Sequence, residues 1–223
     1  MTLSLTLAII GLATTFAVAM REHAKVMASR RTLLDRCAAL LSNAAIKHGG
    51  DGFPVLEGFR GNHFIRVELV SDTMTIRRLP QLWLKLTRVE VRPNLPEFSV
   101  LVRPSGTEFY SLTNEHSRVL EPPPALAPET IVRGDRPASQ QMLNAVAPAL
   151  RRMFAGPGMK EVAVTGRGLR LIWQAAEGQR GEHLLRQCRF ENAGVSTEVL
   201  AARLADLDDL SVAINEAREA RAA

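Results

Sequence analysis

Cysteine and histidine are scarce in this chain, which narrows the chemistry that it is equipped to carry out. Only two cysteines, Cys37 and Cys188, occur in 223 residues, too few for a disulfide scaffold. The five histidines are scattered, without the spacing that metal sites show. We therefore expect no bound metal and no cofactor, and we expect reduced thiols if the domain lies in the cytoplasm.

Short catalytic motifs are also missing. The sequence has no G-x-S-x-G elbow, no P-loop and no dinucleotide-binding fingerprint. The glycine-rich stretch at 49–52 lacks the Lys-Ser or Lys-Thr pair of a phosphate loop, and Pro54 follows it. The sequence thus favours a protein without catalytic activity, and an enzyme of unrecognised type is left as an alternative.

Charge is absent from the start of the chain. Residues 3–20 form an uncharged and mainly apolar run, which is followed by Arg21, Lys25, Arg30 and Arg31. At about 1.5 Å per residue, an eighteen-residue helix spans about 27 Å, close to the hydrocarbon thickness of a bilayer. The sequence therefore predicts a transmembrane anchor over residues 1–20.

The charges next to this run predict its orientation. Residues 21–48 hold six basic and two acidic side chains, whereas residues 49–223 hold twenty-two and twenty-one. The positive-inside rule then predicts a single-pass protein of the inner (plasma) membrane, of bacterial type, with its large domain in the cytoplasm. A nearly neutral domain lacks the broad basic face of nucleic-acid-binding proteins, so we expect no nucleic acid partner.

The segment after the anchor predicts contact with the membrane surface. Its apolar residues recur at three- and four-residue spacing until the glycines at 49–52, which indicates a basic amphipathic juxtamembrane helix over residues 21–48. The apolar stripe suits packing on its own domain or on a second copy, so a homo-oligomer fits the pattern. Anionic lipid headgroups attract basic side chains at this position, and the predicted contacts are Arg21, Lys25, Arg30 and Arg31.

Export is the alternative location. Ala17-Val18-Ala19 has the A-x-A pattern of a signal-peptide cleavage site, and cleavage near Ala19 would give an exported or periplasmic protein. A signal peptide carries positive charge before its apolar region, however, and here the charge follows that region. The uncleaved anchor is therefore the preferred interpretation.

Residues 49–223 predict one α+β domain. Alternating apolar and polar residues indicate antiparallel strands, among them 74–79 and 183–190, while helical periodicity follows Asp135 and Ser196. A proline-rich loop at 113–131 is a candidate boundary within the domain. The predicted fold is thus a single N-terminal transmembrane helix, followed by antiparallel strands with about three packing helices.

One segment, residues 102–108, is similar to a known anion-binding motif. Val102-Arg103-Pro104-Ser105-Gly106-Thr107-Glu108 follows an apolar strand and resembles the R-x-S-G-T-E phosphate-binding loop of phosphohexomutases. The resemblance implies that Arg103, Ser105 and Thr107 bind a phosphate or another anion. The family usually has proline after the glutamate, where this chain has Phe109, and the chain lacks the Asp-x-Asp-x-Asp metal loop of a complete mutase.

The same residues are also typical of a turn. Pro-Ser-Gly suits a tight turn, which would join strand 98–103 to strand 108–112 as a hairpin. The sequence therefore leaves two interpretations of the motif open, an anion site and a hairpin turn.

These observations favour one function over two alternatives. The favoured function is a non-catalytic interaction or scaffold module at the cytoplasmic membrane face, with a protein partner. The first alternative is a membrane-tethered domain that binds an anionic small molecule or a lipid headgroup through the turn at 103–107. The second is the enzyme of unrecognised type.

Overall fold

A computed structural model describes residues 2–73, 79–124, 126, 129–178, 190 and 194–222. Three α-helices lie in this part of the chain, and they are α1 (Thr2–Arg31), α2 (Ala138–Phe154) and α3 (Thr197–Ala222). Short 3-10 helices span Asp35–Leu40 and Thr113–Glu115. The strands are β1 (Ser42–His48), β2 (Pro54–Arg60), β3 (His63–Asp72), β4 (Gln81–Val89), β5 (Phe98–Val102), β6 (Arg118–Val119), β7 (Thr130–Gly134), β8 (Met159–Thr165) and β9 (Gly168–Glu177).

All nine strands belong to one antiparallel sheet with the order β1-β2-β3-β4-β9-β8-β5-β7-β6. The first four strands are consecutive neighbours in this order and form an antiparallel meander. Strands before and after the proline-rich loop at 113–131 pair within this same sheet. The predicted α+β class and the long N-terminal helix are confirmed, and two helices besides α1 lie among the described residues.

Strand alternation gives the sheet two unlike faces. Along β4, Leu82, Leu84 and Leu86 are fully buried and point to what we call the helix face, which α2 and α3 cover. The residues that alternate with them, such as Lys85 and Thr87, point to the opposite side, which we call the open face. The helices contribute buried apolar side chains to the core, and these are Met142, Leu143, Val146, Leu150, Met153, Leu200, Leu204, Leu207, Leu210 and Ile214.

The predicted helix over residues 21–48 is wrong in its second half. Helix α1 ends at Arg31, a 3-10 helix follows, and residues 42–48 form the edge strand β1. The turn after α1 places Leu34 and Cys37 in the core, where the Cys37 thiol donates to the Val195 carbonyl at 3.2 Å. The backbone of residues 42–48 then bonds to β2 instead of forming helical turns.

Strands β8 and β9 form a hairpin through the turn from Thr165 to Gly168. Gly168 has φ of 153°, and a Cβ there would lie 2.1 Å from the Arg88 carbonyl oxygen, so a side chain does not fit this turn. The predicted strands at 74–79 and 183–190 lie, apart from Leu79 and Phe190, outside the described residues. Cys188 belongs to the second of these segments.

Candidate functional site

The apolar part of α1 projects from the domain. Its large side chains are strongly exposed, for example Leu12 at 74% and Phe16 at 67%, and none of its apolar stretch is buried against the domain. The helix is long and apolar enough to cross a membrane, a property that an N-terminal signal sequence shares. An exposed apolar surface of this length is stabilised by lipid rather than by water.

The other end of α1 is fastened to the domain through a contact that we call the seat, formed by residues 27–31 and 48–53. Arg30 donates from Nη1 to the Asp51 carbonyl oxygen at 2.9 Å, and its guanidinium lies 4.7 Å from the centre of the Phe53 ring. Gly52 has φ of 80°, and a Cβ there would lie 2.9 Å from the Met27 sulfur. The seat therefore joins the projecting helix directly to the start of β2.

The four predicted lipid contacts differ in their surroundings. Arg21, Lys25 and Arg31 are exposed on α1, and Lys25 also pairs with Glu22 at 2.7 Å. Arg30 is half-buried and belongs to the seat. Three of the four side chains thus have the exposure that a lipid contact needs, and the contact itself stays a prediction.

The predicted anion ligands Arg103, Ser105 and Thr107 separate into two groups. Arg103 donates from Nη2 to the carbonyl oxygens of Pro157 and Met159, each at 2.7 Å. The hydroxyls of Ser105 and Thr107 lie 3.2 Å apart on the exposed side of the loop. The loop brings the two hydroxyls together, while the arginine holds the turn between α2 and β8.

A carboxylate of the chain itself lies in this loop. Glu108 accepts hydrogen bonds from the backbone N–H groups of Ser105 and Gly106 and from the Ser105 hydroxyl, at 2.5–2.9 Å. The Lys160 ammonium completes the cluster at 2.9 Å, with both charged side chains buried. These donors are of the kind that bind phosphate. Glu108 therefore takes the role that the resemblance assigns to a substrate, and binding of an external anion here stays a prediction.

The hairpin interpretation of the motif is wrong. Residues 108–112 form no strand, and β5 is already paired on both sides, with β7 and with β8. A strand with two neighbours has no free backbone groups for a third. The chain after β5 instead passes over the open face as an irregular stretch, residues 103–117, which we call the crossing segment.

Glu161 holds the crossing segment to the sheet. Its side chain on β8 is fully buried, and one carboxylate oxygen accepts from the Ser111 hydroxyl at 2.7 Å, the Leu112 N–H at 2.9 Å and the Thr113 hydroxyl at 3.3 Å. The other oxygen accepts from Arg170 at 2.9 Å. A buried carboxylate is tolerated only with such partners, so these bonds fix the position of the segment.

Aromatic packing supports the same arrangement. The rings of Trp83 and Tyr110 lie 5.5 Å apart, and the Lys160 ammonium lies 5.9 Å from the Trp83 ring. Burial and the nearby carboxylates, Glu108 first among them, raise the pKa of the Tyr110 hydroxyl, which therefore stays protonated. The crossing segment is thus anchored both by charge and by a small apolar cluster.

Stability should respond to pH through Glu108. Burial opposes ionisation of this carboxyl, but the hydrogen bonds from Lys160 and Ser105 outweigh it and lower its pKa from 4.5 to about 2. The stabilisation is therefore complete above pH 4.5 and is lost as the pH falls toward 2. We expect Glu108→Gln to lower the free energy of unfolding by about 2 kcal/mol at pH 7.

The measurement is denaturant unfolding of both proteins at several pH values, followed by tryptophan fluorescence. The gap between the wild type and Glu108→Gln should close between pH 4.5 and 2. A gap that stays constant over that range would show that the charge of Glu108 does not stabilise the loop.

The residues that organise this region were not among the predicted site residues. Glu108, Lys160, Glu161 and Arg170 act together, although more than fifty positions separate the first two along the chain. The available signal was the Lys160-Glu161 pair directly before the apolar run Val162 to Val164, since charges inside a buried strand need partners. Within the described ranges, no group of three or more His, Cys, Asp or Glu side chains is placed to hold a metal ion.

The chain matches no protein-family model, no curated protein and no solved structure.

Proposed function

We propose that this protein is a single-pass membrane protein whose α+β domain acts as a non-catalytic interaction module at the cytoplasmic face. The observation that carries the proposal is the shape of α1, since its apolar part projects free of the domain while its last turns are fixed in the seat. Such a helix tethers a folded domain to a bilayer and holds the domain close to the membrane surface.

The charge distribution supports the cytoplasmic side. Arg21, Lys25 and Arg31 are exposed on the last turns of α1, directly after the apolar part. Basic residues at this position are retained on the cytoplasmic side and are attracted by anionic lipids there. Arg30 lies on the same turns, so the seat is next to this membrane surface.

An apolar row on the open face supports the interaction role. Phe59 on β2, Phe64 on β3 and Val89 on β4 are direct neighbours across the strands, and the first two rings lie 5.6 Å apart. Phe59 and Val89 are each about 40% exposed, and Val91 beyond them is 72% exposed. Contiguous exposed apolar side chains are typical of surfaces that bind another protein. We therefore propose a partner that brings an apolar surface of its own.

Site-specific photo-crosslinking in living cells tests this proposal. A photoreactive phenylalanine analogue is placed at Phe59, Val89 or Val91 in the full-length chain, and at the exposed Glu177 as the control. We expect one discrete crosslinked product from the three apolar positions and none from the control. A product of twice the chain mass would identify the partner as a second copy.

The same experiment has an outcome that contradicts the proposal. If the three apolar positions give no product, or if Glu177 gives the same products, the apolar row does not bind a protein. The domain would then need another explanation for its exposed phenylalanine and valine side chains.

A further inference from the structure

A groove of about 490 Å³ lies between the β4–β5 connection and the helix layer. Its walls come from the β4–β5 connection, the start of α2 and the end of α3, and they include Asn94, Pro96, Met142 and three arginines, Arg136, Arg218 and Arg221. The volume falls in the range of small-molecule sites. No carboxylate is among the described residues that line it.

The three arginines are held in different ways. Arg136 donates to the carbonyl oxygens of Asn94 and Leu95, at 2.9 and 2.6 Å, and its Nε lies 3.3 Å from Asp135. Arg218 and Arg221 are exposed and lie three residues apart, on one side of the last turns of α3. Among the described residues, no carboxylate forms an ion pair with either of these two. The groove therefore has one fixed guanidinium and two that no described carboxylate neutralises.

A fourth arginine, Arg92, lies on the β4–β5 connection and is already paired with a carboxylate. Arg92 is 5% exposed, and its Nη2 donates to Glu90 and Ser211 at 2.6 and 2.5 Å. Burial lowers the pKa of the Arg92 guanidinium, with smaller contributions in the same direction from Arg88 and Arg218, while Glu90 raises it. The bond to Ser211 fixes α3 to the β4–β5 connection, and both elements line the groove.

We propose that this groove binds a small soluble molecule with a phosphate or diphosphate group. Planar guanidinium groups match phosphate oxygens with paired donors. Two arginines without an ion pair among the described residues, on a concave surface, favour a ligand with at least two negative charges. The first backbone amides of α2 are already used, since Ser139 and Gln140 donate to the carbonyls of Arg136 and Pro137. The arginine side chains, rather than the helix end, therefore provide the affinity.

The position of the groove argues against a headgroup of the anchoring membrane. The seat lies where β2 begins, and the strand registers place the start of β4 at that same end of the sheet. The groove follows the opposite end of β4. Nine strand residues separate the two ends by about 30 Å. A ligand dissolved in the surrounding water reaches the groove, while the seat is next to the bilayer.

Binding of inorganic pyrophosphate to the full-length protein in phosphatidylcholine nanodiscs tests the inference. Isothermal titration at constant ionic strength should show one site, and Arg218→Ala/Arg221→Ala should weaken it at least tenfold. The matched control is Arg151→Ala/Arg152→Ala, which removes two exposed arginines from the last turn of α2 and should leave the affinity unchanged. Both double variants change exposed side chains, and circular dichroism melting confirms that they fold.

Three results would overturn the inference. The first is a failure to show specific binding: either pyrophosphate does not bind, or the two double variants weaken binding equally. Equal weakening would indicate attraction by overall charge. The second is loss of pyrophosphate affinity when the nanodiscs contain phosphatidylserine, which would identify a lipid headgroup as the ligand. The third is tighter binding of a hexaglutamate peptide than of pyrophosphate, which would point to an acidic protein segment. The inference is independent of the crosslinking result, because the groove and the apolar row have no residue in common.

Discussion

Glu161→Gln should destabilise the domain by about 3 kcal/mol, the largest effect that we expect from a single substitution in the sheet. The amide keeps one acceptor but loses the negative charge. Arg170 is then left without its buried counter-charge, while Ser111 and Thr113 face a weaker acceptor or a competing donor. The crossing segment should detach from the open face before the rest of the sheet unfolds, because Glu161 is its main polar attachment.

Guanidinium unfolding of the full-length protein in detergent, followed by tryptophan fluorescence, measures this effect. The matched control is Glu177→Gln on the neighbouring strand β9, since Glu177 is exposed and accepts a hydrogen bond from Gln81 that an amide oxygen also accepts. We expect the control to change stability by less than about 0.5 kcal/mol. Equal effects of the two substitutions would show that burial of Glu161 does not matter.

Two arginines in the middle of α1 should release the protein from membranes. Ile9 and Leu12 are 57% and 74% exposed, so Ile9→Arg/Leu12→Arg leaves the folded domain unchanged. Each arginine at the centre of a transmembrane helix costs about 3 kcal/mol of insertion free energy, so the pair costs about 6 kcal/mol. We expect most of the protein to move from the membrane pellet to the supernatant after carbonate extraction.

The matched control replaces two exposed apolar residues outside the anchor. Val119→Arg/Val212→Arg adds the same charge at positions that are 74% and 56% exposed. This variant should stay in the membrane pellet like the wild type. If the α1 variant also stays there, the helix is not what holds the protein to the membrane.

The sequence was sufficient to predict the elements whose periodicity is long and regular. The apolar stripes of α2 and α3 extend over several turns, and the alternation of Leu82, Leu84 and Leu86 in β4 has a single periodic interpretation. Ser196 directly precedes α3, and its hydroxyl accepts from the Val199 N–H at 3.2 Å, as expected of a serine N-cap. Local signals of this kind do not depend on distant parts of the chain.

Residues 42–48 show where such signals fail. Ala44 continues the helical spacing of the residues before it, yet the segment pairs with β2 as an edge strand. Short stretches with few apolar residues fit both periods, and pairing with another strand then decides the structure. The chain changes direction after α1, where Leu34 and Cys37 are buried in the core. Their burial depends on contacts with distant residues, which local periodicity does not reveal.

The loop at 103–108 shows a second limit. Its residues match a phosphate-binding motif in type and order, but the partner of its donors is the Glu108 carboxylate, and the ammonium beside it comes from Lys160 on β8. A motif specifies which donors are present. It does not specify which anion they bind, since that depends on side chains brought in by the fold.

The most direct test of the membrane-tethered cytoplasmic domain is the side on which the C-terminus lies. The full-length chain is fused at Ala223 to a fluorescent protein, or to an alkaline phosphatase that is active only after export. The exposed basic side chains after the apolar part of α1 predict fluorescence without phosphatase activity. Phosphatase activity without fluorescence would contradict the account and place the domain on the outer side of the membrane.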